Sequence, residues 1–189
     1  MSNSNHLPNT EMMPGWGFHL MRMSWKITDL FSDPSKSLDQ FQIQEGWHII
    51  DYGCGPGRYI KKASKLVGKE GRVYAVDIHE TALQCVRKSI KKNKLSNVYP
   101  IEAKSYFVPI PENSADLIYV LDVFHMVSQP NLFLQELHRL LKTAGILILE
   151  DGHQKRQKTI NKVLSSLLWE IQDQTPRHLV LSPKYKIPE

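Results

Sequence analysis

From Glu45 onward, short apolar runs alternate with stretches in which apolar residues recur three or four positions apart. Continuous apolar runs are the mark of strands buried on both faces, and the three-to-four spacing is that of amphipathic helices. Strands are predicted at 47–52 (WHIIDY), 72–77 (RVYAVD), 98–103 (VYPIEA), 115–122 (ADLIYVLD) and 145–151 (GILILED). Pro100 puts the third of these at or near a sheet edge, because proline lacks a ladder donor. Helical faces run through Ile60, Ala63 and Val67, through Leu83, Val86 and Ile90, and through Phe133, Leu137, Leu140 and Leu141. A final helix is predicted to bury Ile160, Val163, Leu164 and Leu167. Two more strand-like runs, 168–174 and 177–183, are parted by Thr175-Pro176; strands so close in sequence must pair antiparallel, as a hairpin. The expectation is an α/β protein: a doubly wound sheet of seven strands, mostly parallel with an antiparallel C-terminal hairpin, and helices on both faces.

The chain before Glu45 has a different pattern. Residues 1–13 are polar and without period, and are expected to be a disordered tail. In 14–44, Phe18, Met21 and Trp25 share one helical face, and Asp33-Pro34 breaks the pattern before a short helix. With Trp16 and His19 they supply the material of a lid, so 14–44 is expected to be an N-terminal helical lid over the main domain, 45–189.

Composition adds bounds rather than a function. The 189 residues are 41% hydrophobic and 23% charged, values of an ordinary globular chain long enough for a real core. No window has the apolar length of a membrane span, and the N-terminus lacks the basic start and apolar run of a secretory signal, so a cytoplasmic location is expected. Two cysteines, Cys54 and Cys85, make neither a disulfide framework nor a Cys-rich zinc site, and no metal is expected. Net charge is +5. Basic runs at Lys61-Lys62, 87–94 and 155–158 read as solvated helix faces; they permit an anionic partner without requiring one.

Ligands of doubly wound sheets bind beyond the carboxyl ends of the strands, where strand order reverses. Chemistry is therefore sought just after residues 52, 77, 103, 121 and 151. The first strand ends in Asp51-Tyr52-Gly53-Cys54-Gly55-Pro56-Gly57. Alternate glycines let the backbone turn tightly and approach a ligand closely. The second strand ends in Asp77, a carboxylate able to accept from a ribose diol. The spacing is GxGxG, not the GxGxxG of dinucleotide sites. Asp51 would repel a pyrophosphate and favour an ammonium. An adenosine ligand carrying a cation is the result.

These motifs resemble those of the class I S-adenosylmethionine-dependent methyltransferases. IIDYGCGPGRY is similar to their first motif and YAVDIHETAL to their second; ENSADLIYVLDVFHMV and LLKTAGILILEDG are similar to the fourth- and fifth-strand regions. Within that class the chain most resembles the small-molecule branch related to quinone-biosynthesis C-methyltransferases. The resemblance implies a Rossmann-like fold and S-adenosylmethionine as cofactor, with S-adenosylhomocysteine as product. It also implies that Gly53, Cys54, Gly55 and Gly57 line the methionine portion, with Asp51 holding its ammonium. Asp77 would take the ribose hydroxyls and Ile78 would pack on adenine. Ser105 and Tyr106 would lie at the adenine edge, and Leu121 and Asp122 toward the sulfonium. One departure stands out: many relatives have an acidic residue after the third strand to accept from the adenine amino group, and here Lys104 is a donor only.

The expected function is transfer of a methyl group to a small-molecule acceptor. Asp122 and His125 are candidate bases, with neither assigned. Two alternatives stay open: an RNA acceptor, and a cofactor-binding regulatory protein without transferase activity. The acceptor and the oligomeric state are not legible in these residues.

Overall fold

The computed structural model describes residues 34–185. Seven strands form one sheet: β1 (His48–Tyr52), β2 (Arg72–Asp77), β3 (Val98–Glu102), β4 (Ala115–Val120), β5 (Leu141–Glu150), β6 (Trp169–Gln174) and β7 (His178–Pro183). Their spatial order is β3-β2-β1-β4-β5-β7-β6. Pairs from β3 through β5 are parallel, and β7 is antiparallel to both β5 and β6. Four α-helices lie between strands: α1 (Ile60–Val67), α2 (Glu80–Asn93), α3 (Pro130–Leu140) and α4 (Arg156–Ser165).

Successive strand residues face opposite sides, and both sides are covered. Ile50, Val76, Ile118, Val120, Leu147 and Leu149 pack with Phe133 and Leu137 of α3 and Val163 of α4. Ile49, Val73, Ala75, Leu117, Tyr119 and Ile148 pack with Ile60, Ala63 and Val67 of α1 and Leu83 and Val86 of α2. This two-sided burial is why the central strands read as unbroken apolar runs. Pro100 sits on β3, paired only with β2, so its missing N–H leaves no gap inside the sheet.

Three expectations shift. The last helix ends at Ser165; Leu167 has a left-handed φ of 60° and is 81% exposed, and Leu164 is also exposed. Only Val163 of the expected apolar face is fully buried, because α4 is short and packs by its Thr159–Val163 edge. β5 begins at Leu141, four residues early, through a register shift against β4 between Ala115 and Leu117. Of the expected lid, Pro34–Phe41 form a 3-10 helix whose Leu38 and Phe41 are core, Phe41 packing on Tyr119 and His178. Residues 14–33, with Trp16, Phe18, His19, Met21 and Trp25, and the tail 1–13 lie outside the described residues.

β7 lies between β5 and β6, so it is structural sheet and not a peripheral tail. Leu179 and Leu181 on it are fully buried. Leu181→Ala should cost about 2–5 kcal/mol in urea unfolding. A chain ending at Gln174 should expose the Leu147–Glu150 edge and aggregate; a soluble, cooperatively melting product in size-exclusion and circular dichroism measurements would show that β7 is dispensable.

Candidate active site

The sheet order reverses at β1, whose neighbours are β2 on one side and β4 on the other. Connections leave those strands in opposite directions and open a crevice at their carboxyl ends. A cavity of about 310 Å³ lies there. The loop after β1, the ends of β2 and β4, and the turn after β5 all contribute to its wall.

The glycine loop is held to β2 by its backbone. Gly53 and Cys54 N–H both donate to the Val76 carbonyl, at 2.8 and 2.9 Å. Gly55 N–H donates to Asp77 Oδ2 at 2.8 Å. Gly53 has a φ of 82°, and a Cβ there would collide with Val123, so glycine is needed to let the segment after β4 close on the loop. Gly57 also has a φ of 82°, but a Cβ there would meet Ile60 and Val86. Its side therefore faces the core beneath the loop, and Gly57 is not part of the cavity lining.

Asp77 is buried, and its carboxylate is engaged from three sides. Besides Gly55, Oδ1 accepts from His79 N–H at 2.9 Å and lies 3.0 Å from His79 Nδ1. A carboxylate has about four lone-pair sites, so one acceptor position stays free here, or two if the His79 ring turns away. The expected two-bond grip on the diol thus depends on His79, which sequence reasoning passed over although it stands two residues past Asp77.

Asp51 lies outside the lining, buried beneath the glycine loop. Its side chain faces the α1–α2 side of the sheet, as the alternation of β1 dictates. Oδ2 of Asp51 and the Tyr119 hydroxyl are both buried without hydrogen-bond partners. Burial pushes the Asp51 carboxyl up to about 8; the neighbouring Tyr119 hydroxyl opposes the shift and the Asp77 charge adds to it. Burial raises the Cys54 thiol well above its ordinary value, so it is no nucleophile.

The remaining expected residues, Cys54, Gly55, Ile78, Ser105, Tyr106, Leu121 and Asp122, line the cavity with Gly53 and Asp77. Ser105 takes a φ of 60°, and the adjacent Lys104 does not line the cavity; its N–H donates to the Phe107 carbonyl at 3.2 Å. This loop is anchored from below by Glu136, whose Oε1 accepts from Val108 N–H at 3.0 Å and from Arg139 Nη2 at 2.7 Å. Tyr52 donates to the Tyr106 carbonyl at 2.8 Å, and Phe133 meets the Tyr52 and Tyr106 rings edge to face at 5.0 and 5.8 Å. With Met126 and Val127 these rings make one side of the cavity apolar and aromatic. His125 and His153 complete the wall beside Asp122. Burial holds His125 below its ordinary pKa, with the Asp122 charge opposing.

A doubly wound seven-stranded sheet with a glycine loop after the first strand and a carboxylate at the end of the second defines the class I S-adenosylmethionine-dependent methyltransferase architecture. The chain belongs to the methyltransferase-domain family, whose model matches residues 50–149. It is 33% identical over 110 residues to the ubiquinone/menaquinone biosynthesis C-methyltransferase of Teredinibacter turnerae, covering 57% of this chain and 44% of that one. It is 32% identical over 111 residues to the demethylmenaquinone methyltransferase of Geobacillus stearothermophilus, covering 58% and 47%. The match thus spans less than half the length of these curated relatives. The crystal structure of a SAM-dependent methyltransferase from Aquifex aeolicus superposes with a TM-score of 0.68 at 27% identity, over 79% of this chain and 87% of that one.

Asp51 gives a pH test of this geometry. The folded chain keeps its proton up to about pH 8, while the unfolded chain releases it near pH 4. Between those values the folded state binds more protons, so this group's contribution to stability falls as pH rises. Asp51→Asn cannot ionise, and its melting temperature should gain on that of the unsubstituted chain between about pH 5 and pH 8. A difference that stays constant over that range would mean that the carboxylate is not buried as described.

Proposed function

We propose that the chain is an S-adenosylmethionine-dependent methyltransferase acting on a small, largely apolar acceptor with a quinone-like or aromatic ring. The observation that carries the reading is one cavity with two unlike sets of lining residues: backbone and the Asp77 carboxylate at β1 and β2, and the aromatic rings of Tyr52, Tyr106 and Phe133. The similarity to quinone C-methyltransferases supports the acceptor class.

The residues present fit the cofactor. Asp77 offers an acceptor for a ribose hydroxyl, Ile78 an apolar face for adenine, and Ser105 a hydroxyl at the adenine edge in place of the carboxylate that Lys104 does not supply. Gly53, Cys54 and Gly55 let the methionine portion lie against backbone. Beneath them lies Asp51, with an unpartnered buried oxygen; burial keeps its carboxyl protonated, and an ammonium brought close would favour the ionised form where a phosphate would not. Leu121 and Asp122 flank the passage from this end to the aromatic one. Bound S-adenosylmethionine supplies a methyl group already activated on a sulfonium. The chain's own task is then to position the acceptor and exclude water. Where the acceptor must lose a proton, Asp122, His125 and His153 are ionisable groups on that wall, and burial favours the neutral form of His125.

An RNA acceptor draws no support from the cavity: among the described residues Arg58 is the one lysine or arginine that lines it, and none from the runs at 61–62, 87–94 and 155–158 does. Among the described residues no helix is long and apolar enough to cross a membrane. The two free cysteines suit a reducing compartment such as the cytoplasm.

Calorimetry with S-adenosylhomocysteine and with NAD tests the reading. The first should bind saturably and the second should not. Asp77→Ala removes the anchor of Gly55 as well as a ribose acceptor, and should weaken S-adenosylhomocysteine by about 1–3 kcal/mol. Binding of NAD alone, or an unchanged affinity in Asp77→Ala, would contradict the assignment.

A further inference from the structure

Asp122 just beyond β4, His125 in the 3-10 turn Phe124–Met126, and His153 after β5 converge on one wall of the cavity. One ligand atom from each lies within 4.8 Å of the other two. His125 Nδ1 is 3.8 Å and His153 Nε2 3.7 Å from Asp122 Oδ1. Those separations are too long for hydrogen bonds. The two imidazoles meet edge to face with centroids 5.0 Å apart.

Two further observations give the cluster a purpose. His125 Nδ1 is buried and has no hydrogen-bond partner, although it belongs to a side chain that could make two bonds. Gly152 has a φ of 61°, and a Cβ there would collide with the His125 ring, so glycine is what lets the turn bearing His153 close over that nitrogen. Buried polar atoms left without partners call for an occupant.

Two imidazoles and a carboxylate are a donor set for first-row divalent ions. Three protein ligands leave coordination positions open, as in catalytic rather than structural sites. We propose that Asp122, His125 and His153 form a binding site for a divalent transition-metal ion on the acceptor side of the cavity. Bonds of about 2.0–2.2 Å require the three donors to draw together, and the His153 side chain, 81% exposed, is free to turn inward. The open positions face the cavity, which all three residues line. The acceptor this wall selects therefore carries an oxygen donor, a ring hydroxyl or carbonyl, that the ion orients. That last step rests on the methyltransferase reading, and the metal site itself does not.

The test uses the untagged full chain, stripped of metal by a chelator and titrated with Co2+ alone, followed by visible d–d absorption and calorimetry. The expected result is about one equivalent bound, displaced by Zn2+. His153→Ala and Asp122→Asn should each weaken binding by at least about tenfold, a single ligand being lost from three. Asp122→Asn suits the residue's left-handed φ of 56°, and His153 is exposed, so both variants should fold. His138→Ala, on α3 and outside the cavity lining, should bind Co2+ as the unsubstituted chain does. No saturable binding, or binding unchanged in both site variants, overturns the proposal. S-adenosylhomocysteine affinity measured on the same samples separates the readings: intact affinity without Co2+ binding removes the metal site alone, and the reverse removes only the functional reading.

Discussion

The site depends on one constraint, the pinning of the first loop to the second strand at the place where the sheet changes direction. Gly53, Cys54 and Gly55 each give a backbone N–H to the end of β2, the last of them to Asp77. A loop of alternating glycines has much conformational freedom to lose, and these bonds remove it. They also set Asp77 at the cavity wall with part of its acceptor capacity already used. Gly53 then admits Val123, and with it the segment that carries Asp122 and His125. The glycine loop and the segment after β4 are thus coupled through one contact between two loops, with the sheet below them.

The two ends differ in what they ask of a ligand. At β1 and β2 the wall is backbone, buried carboxylate and one apolar side chain, which suits a polar molecule with a flat base and a cation. At the other end the Phe133 ring meets Tyr52 and Tyr106 edge to face, held by the hydrogen bond from Tyr52 to the Tyr106 carbonyl and by the Glu136–Arg139 pair beneath the loop. That pair does not line the cavity, but it fixes the loop on which Ser105 and Tyr106 sit.

Much of this was legible in the sequence because burial on both faces of a parallel sheet leaves an unmistakable mark. The apolar runs of β1, β2 and β4, the edge position of Pro100 and the C-terminal hairpin all follow from it. What was not legible depends on direction and context. Asp51 and Gly57 belong to the expected motif, yet the alternation of β1 and the packing of Ile60 turn them away from the cavity. Leu164 and Leu167 fit a helical face, but α4 stops before the second of them. His79 and His153 escaped notice although both follow strand ends where ligands were sought. The expectation of no metal weighed the cysteines alone, and the approach of His125 to His153, 28 residues apart in sequence, could not be read from the chain.

The central claim is that one ligand bridges the glycine loop and Asp77 with its reactive atom toward the aromatic end. A crystal structure of the full chain with S-adenosylhomocysteine tests this directly. The account predicts the ribose at Asp77, the amino-acid end against Gly53–Gly55 and the sulfur facing Leu121 and Asp122. A ligand bound elsewhere, or reversed so that adenine fills the aromatic end, would contradict it.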